Sequence, residues 1–268
     1  MFNERTFLKD EETKYILPSD KKEVEREAIS YTIRKHLYRG NYCSPVEKKL
    51  KEVDMGLDYS SSTFVGIDLD STQFPSDNMH PSNVGFLACN ITHGIPFPPE
   101  TFDYVHMSMM CCALTESQWS QLIKDMVRVL KYDGWIEIIE GDPWFKNSGR
   151  IGKLISETSV EVALMKGINI NIHEMIPKFM NSINVLRDLQ YIDVEYPLGD
   201  WSGCLGKFAM TNIRRACEGI VYIQKHLGLS NKEYDDLLCD FEKEAHENRS
   251  VGFYHRYFAR KARIDDSY

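Results

Sequence analysis

Short apolar runs that end in a carboxylate or small polar residue recur through the first half of the chain. Thr63-Phe64-Val65-Gly66-Ile67-Asp68 is the first, and 84–89, 102–107 and 135–139 repeat its form. Strands buried on both faces of a parallel sheet need runs of this kind. Between the last two, Thr115-x-x-Gln118 opens a helix with Trp119, Leu122, Ile123, Met126, Val127 and Leu130 at i, i+3, i+4, i+7, i+8 and i+11, one sheet-facing stripe. Upstream, Asp20 and Glu23 start a helix over 20–39 that Gly40 and Asn41 stop, and Ser44-Pro45-Val46-Glu47 predicts a second helix beginning at Pro45. Downstream, the spacing predicts helices over 150–166 and 173–189, the second with Ile176, Phe179, Met180, Ile183 and Leu186 on one face. A strand over 191–196, a helix over 206–228, a helix capped by Ser230-x-x-Glu233 and a last strand near 251–260 follow. The alternation predicts an α/β fold, a mostly parallel sheet with helices on both faces. A helical extension over 1–43 precedes a main domain over 44–268, with helical insertions at 150–189 and 203–228.

Composition narrows the class. Hydrophobic residues at 43% and charged residues at 27% are those of an ordinary globular chain, which excludes a disulfide-stapled scaffold and global disorder. The net charge of −8 argues against nucleic acid as a partner. Seven scattered cysteines, an odd number in mostly apolar surroundings, point to reduced thiols. Met1-Phe2-Asn3-Glu4-Arg5 carries no apolar signal region, and no later stretch reaches the roughly 18 apolar residues of a membrane span. A cytoplasmic or nuclear protein without membrane association is expected.

In an open parallel sheet ligands gather at the carboxyl ends of the strands. Here those ends are Asp68-Leu69-Asp70, Asn90-Ile91, Met107-Ser108 and Glu140-Gly141-Asp142. The two oxygens of Asp68 match the spacing of a ribose diol; the competing reading is a carboxylate that caps the following turn. His106, Glu140 and His173 are candidate general bases, each with a structural role as its alternative. Adjacent Cys111-Cys112 cannot chelate one zinc ion in the usual spaced arrangement, and the eight histidines show no paired ligand spacing, so no metal site is expected. Gly203-Cys204-Leu205-Gly206-Lys207-Phe208 lacks the first glycine and the Ser/Thr of a phosphate loop, with Trp201 and Phe208 in those places. The alternation of Phe253-Tyr254-His255-Arg256-Tyr257-Phe258 fits a sheet strand better than a base-stacking platform.

Several segments resemble class I S-adenosylmethionine-dependent methyltransferases. They are Phe64-Val65-Gly66-Ile67-Asp68, then Asn83-Val84-Gly85-Phe86-Leu87-Ala88-Cys89-Asn90, then Ile95-Pro96-Phe97-Pro98-Pro99-Glu100-Thr101-Phe102-Asp103-Tyr104-Val105-His106-Met107, and finally Arg128-Val129-Leu130-Lys131-Tyr132-Asp133-Gly134-Trp135-Ile136-Glu137. Together with Tyr15-Ile16-Leu17-Pro18-Ser19-Asp20 and Gly199-Asp200-Trp201-Ser202-Gly203, they look most like a fungal subgroup related to regulators of secondary metabolism. The resemblance implies a Rossmann-like methyltransferase fold with S-adenosyl-L-methionine as cofactor and a small-molecule or protein methyl acceptor. It further implies that Asp68 binds the cofactor ribose, Leu69 packs on the adenine, and Asn90 with the Ile91 backbone reads the adenine edge. Met107 and Ser108 would lie beside the methionine part.

One departure stands out. The family's first strand and its glycine-rich Asp-x-Gly-x-Gly turn have no counterpart, because Lys51-Glu52-Val53-Asp54-Met55-Gly56-Leu57-Asp58-Tyr59 passes almost directly to the next strand. About a dozen residues are missing near Val53 and Asp54 by comparison with ordinary βα spacing. A splice or gene-model deletion, a degenerate non-catalytic binding or regulatory protein, and a rebuilt site each account for this. A nicotinamide-dependent oxidoreductase is disfavoured by the lack of Gly-x-Gly-x-x-Gly.

Overall fold

The computed structural model describes residues 5–8, 14–45, 61–75 and 80–263. The elements in chain order are α1 (Lys21–Leu37), β1 (Phe64–Asp68), β2 (Val84–Ala88), β3 (Phe102–Ser108), α2 (Glu116–Val129), β4 (Leu130–Gly141), α3 (Arg150–Met165), α4 (Ile176–Asn181), β5 (Leu186–Pro197), α5 (Cys204–Gly219), α6 (Val221–His226), α7 (Asn231–Glu247) and β6 (Val251–Lys261). Short 3-10 turns at Ile91–His93 and Ile172–Glu174 matter for the site. The expected helix at Pro45 and the segment around Val53 and Asp54 lie outside the described residues.

β1 and β2 form a parallel pair in the register Phe64↔Val84 to Asp68↔Ala88. A second sheet has the order β3-β4-β6-β5. β3 and β4 are parallel, and β6 runs antiparallel to both β4 and β5, so three of its four strands point one way. Among the described residues no strand joins β1 to β3.

Strand alternation sorts side chains to the two faces of the larger sheet. Ile136 and Ile138 of β4 join Tyr257 and Ala259 of β6 against the α2 stripe and against Ile176 and Met180 of α4. Ile139 and Tyr254 face the other way, into a cluster with Ile155 of α3, Met210 of α5 and Phe241 of α7. Trp119 and Ile123 of α2 are fully buried, and each such side chain contributes about 1.5–3 kcal/mol of burial free energy. Helices therefore cover both faces, as the sequence pattern predicts.

Ile16, Leu17, Ile33 and Tyr38 belong to the same cluster as α3, α5 and α7, so α1 is part of the helical layer. Asp20 caps α1 by accepting from the Glu23 N–H at 3.1 Å, while Glu23 turns inward and accepts from Arg26 at 2.7 Å. Arg26 in turn donates to Asn212 of α5 at 3.1 Å. A second buried pair locks β4 to β6: Arg256 Nη1 lies 3.1 Å from Glu137 Oε1, both side chains almost fully shielded. The Glu137 carboxylate also accepts from the N–H groups of Cys43 and Ser44, and the Arg256 guanidinium stacks 3.7 Å over the Tyr38 ring. This pair ties the segment after α1 to the sheet.

Three boundaries differ from the sequence reading. The helix predicted over 173–189 is a 3-10 turn plus the six residues of α4, and Leu186 is already in β5, opposite Lys261. The Ser182 N–H bonds back to Lys178 and Phe179, closing the helix, and the pairing with β6 takes over the residues beyond. The helix predicted over 206–228 breaks at Ile220, whose ψ of 73° is not helical. Beside it Pro18 passes so near Gly219 that an added Cβ would meet its Cδ at 3.2 Å. β4 begins at Leu130, directly after α2, through the pairing Phe102↔Leu130.

Candidate functional site

Asp68 ends β1, and its carbonyl accepts from the Cys89 N–H at 2.9 Å, which sets Asn90 beside it at the end of β2. The Asp68 side chain is exposed, and its Oδ1 accepts from the Asp70 N–H at 2.9 Å. That bond is the turn cap of the competing reading. A carboxylate has about four lone-pair sites, so capping and diol recognition are compatible. Leu69 is half-buried next to it. Asn90 heads the 3-10 turn Ile91–His93, its Oδ1 accepting from the Thr92 N–H at 3.0 Å and hydroxyl at 2.7 Å. The Asn90 amide nitrogen is a donor by type, and the Ile91 N–H, first of a helical turn, has no intrahelical acceptor.

Met107 and Ser108 end β3 opposite Ile138 and Ile139 of β4. Ile67, Ile91 and Met107 all pack against the core cluster that holds the α2 stripe. The structure thus gathers Asp68, Leu69, Asn90 and Ile91 on the smaller sheet and Met107 and Ser108 on the edge of the larger.

The three candidate bases occupy different settings. His106 lies inside β3, its Nδ1 3.3 Å from the Tyr104 hydroxyl. Burial, reinforced by the positive charges of Arg256 and Arg34, pushes its pKa down to about 3, so the ring is neutral at ordinary pH. Glu140 is fully buried at the end of β4, and its oxygens accept from the N–H groups of Met110 at 2.7 Å and Cys111 at 3.2 Å. Burial raises its pKa to about 7 against the pull of those two bonds. Its visible task is to hold the loop that follows β3. His173 is buried in the 3-10 turn before α4, its carbonyl accepting from the Tyr257 hydroxyl at 2.8 Å.

His173 does not stand alone. Its ring stacks on that of His255, with centroids 4.6 Å apart and planes 7° from parallel. Asp142 Oδ2 is 3.6 Å from His255 Nε2 and 4.0 Å from His173 Nε2. The sequence reading placed Asp142 at a strand end and His255 in a strand without linking either to His173. The usable signal was parity, since His255 shares its face of β6 with Tyr257 and Ala259. Spacing rules cannot register ligands drawn from residues 142, 173 and 255.

Parallel strand pairs and helix-covered faces, with candidate residues at the carboxyl ends of the strands, define an α/β protein of the Rossmann-like class. Residues 51–138 match the methyltransferase domain family, a stretch that holds β1, β2, β3, α2 and Asp68, Asn90 and Met107, and the fold is the Rossmann-like methyltransferase fold. No curated protein matches the chain. Among solved structures it is similar to the [4+2]-cyclase SpnF, at 18% identity over 75% of this chain and 67% of that one, with a TM-score of 0.44. It is also similar to phosphoethanolamine N-methyltransferase 2 of Haemonchus contortus, solved with phosphomonomethylethanolamine and S-adenosylhomocysteine, at 16% identity over 75% of this chain, with a TM-score of 0.47. The match spans 44% of that enzyme's length. The YcgJ protein of Bacillus subtilis is similar at 14% identity over 75% of this chain and 83% of its own, with a TM-score of 0.44. No helix among the described residues is long and apolar enough to cross a membrane.

Proposed function

We propose that the chain is an S-adenosylmethionine-dependent methyltransferase whose cofactor is held at the carboxyl ends of β1, β2 and β3. The observation that carries this reading is the exposed Asp68 carboxylate beside Asn90, inside the segment that matches the methyltransferase domain family. The donor set suits the adenosine half: a carboxylate for the ribose diol, Leu69 for a face of the adenine, and the Asn90 amide with the Ile91 N–H for its edge. Met107 and Ser108 would flank the methionine half.

When bound, the cofactor supplies an electrophilic methyl group on a sulfonium. The protein's part is then mainly to align the acceptor and exclude water, and a base is needed only where the acceptor must lose a proton. His106 is neutral, but the burial that holds its pKa near 3 makes it a weak base; Glu140 positions the loop after β3, and His173 lies with Asp142 beyond the end of β4. The acceptor is a small molecule or a protein side chain.

A second reading is favoured by one observation. Because no described strand joins β1 to β3, a binding or regulatory protein that keeps the adenosine subsite without productive transfer fits the same residues. A thermal-shift titration with S-adenosylmethionine and S-adenosylhomocysteine tests cofactor binding, since a ligand held by the folded state alone raises Tm by mass action. Wild type is expected to shift and Asp68→Ala to lose the shift; no shift at millimolar ligand rejects both readings. Transfer of labelled methyl to acceptor pools then separates them.

A further inference from the structure

We propose that Asp142, His173 and His255 form a binding site for one divalent transition-metal ion of the Zn²⁺ or Fe²⁺ class. The inference does not rest on the methyltransferase reading. One ligand atom from each residue lies within 4.8 Å of the other two, with Asp142 Oδ2 at the apex, 3.6 Å from His255 Nε2 and 4.0 Å from His173 Nε2. An ion about 2.0–2.2 Å from each of three donors spaces them about 3.0–3.5 Å apart, so the two Asp142 contacts close by roughly an ångström or less and the imidazole pair closes by rotation of one ring.

The groups around the three donors are arranged as metal ligands need. His255 Nδ1 lies 2.8 Å from Asp193 Oδ1, and donation of that N–H leaves the Nε2 lone pair aimed at Asp142. A carboxylate behind a ligating imidazole is the usual outer partner of a histidine–metal bond. The Trp144 N–H donates to Asp142 Oδ1 at 2.8 Å, which leaves Oδ2 to the imidazoles. His255 Nε2 and His173 Nδ1 are buried and make no hydrogen bond within the described structure. His255 Nε2 facing the Asp142 carboxylate is favourable only with a positive charge between them, whether a proton or a metal ion.

The stacked rings add one requirement. Two nearly parallel imidazoles cannot both direct in-plane lone pairs at one point, so one ring turns on loading. His255 is tied to Asp193, whereas no hydrogen bond holds the His173 ring, so His173 is the ring that turns. Two imidazoles and one carboxylate suit Zn²⁺, Fe²⁺, Co²⁺ or Ni²⁺, not Mg²⁺ or Ca²⁺ with their oxygen sets. Three protein ligands leave coordination positions open to water or an oxygen-bearing ligand.

The test is titration of the metal-free full chain with Co²⁺, followed by visible d–d absorption and by Tm, with Zn²⁺ as competitor. One ion per chain, a raised Tm and displacement by Zn²⁺ are expected. Asp193→Asn, which keeps all three ligands, is expected to weaken binding about 10–100-fold. His173→Gln and His255→Gln are expected to abolish it. Should those two variants not fold, carbethoxylation of wild type decides: protection of His173 and His255 by Zn²⁺ supports the site, and equal labelling with and without the ion overturns it. Failure of the folded wild type to bind Co²⁺ or Zn²⁺ up to millimolar concentration also overturns the proposal, as does binding that survives both glutamine substitutions.

Discussion

His106 shows how far burial reshapes a single side chain. Its imidazole titrates near 6.5 in an unfolded chain and is pushed down to about 3 in the fold, chiefly by desolvation and then by Arg256 and Arg34. Between those two values the unfolded state binds more protons than the folded one, so stability rises with pH through that window. The contribution is complete above the unfolded value and is lost on acidification, at up to about 1.4 kcal/mol per pH unit. His106→Phe removes the titration while keeping a ring, and its unfolding free energy is expected to fall less steeply than that of wild type from about pH 6.5 to about pH 4. Urea titrations at several pH values measure the slopes, and parallel slopes would refute the assignment.

Among the elements, α2 was the most legible in the sequence and α4 the least. Thr115 accepts from the Gln118 N–H at 3.3 Å, and Gln118 Oε1 accepts from the Thr115 N–H at 2.9 Å, so both halves of the expected capping box form. Thr115→Ala is expected to cost about 1 kcal/mol, read as a lower urea midpoint with an unchanged m-value. The cap and apolar stripe of α2 are local, and local patterns survive in the sequence. The residues after α4 carry an equally good helical spacing, yet Leu186 belongs to β5 because β6, more than sixty residues later, offers it a ladder. Register against a distant strand leaves little local trace, and long-range pairing overrides helix propensity. The same distinction holds at the site. The strand ends with Asp68 and Asn90 are visible as the ends of apolar runs, whereas Asp142, His173 and His255 become one cluster only after β4 and β6 pair.

At the scale of the whole molecule the main feature is that the described strands form two sheets, β1-β2 and β3-β4-β6-β5. The larger sheet is shielded on both faces, while β1 and β2 expose Val65 at 38%, Phe86 at 37% and Leu87 at 37%. Segments with few buried contacts open at lower free energy than the global transition. Amide hydrogen exchange is therefore expected to be orders of magnitude faster at 65–67 and 85–87 than at 136–139 and 255–259. S-adenosylmethionine is expected to slow exchange at the former segments and leave the latter unchanged. Uniform protection across both sheets would show that they open as one unit.

The place of β6 carries a further consequence for biogenesis. Of the described strands it is the last in chain order, yet it lies between β4 and β5, pairing with Trp135 to Gly141 on one side and Leu186 to Pro197 on the other. Until residue 261 emerges, β4 and β5 each keep an unfilled ladder, and Glu137 waits for its guanidinium partner. The larger sheet therefore closes only once β6 has emerged, and a nascent chain stalled near residue 250 would expose two sticky edges to chaperones.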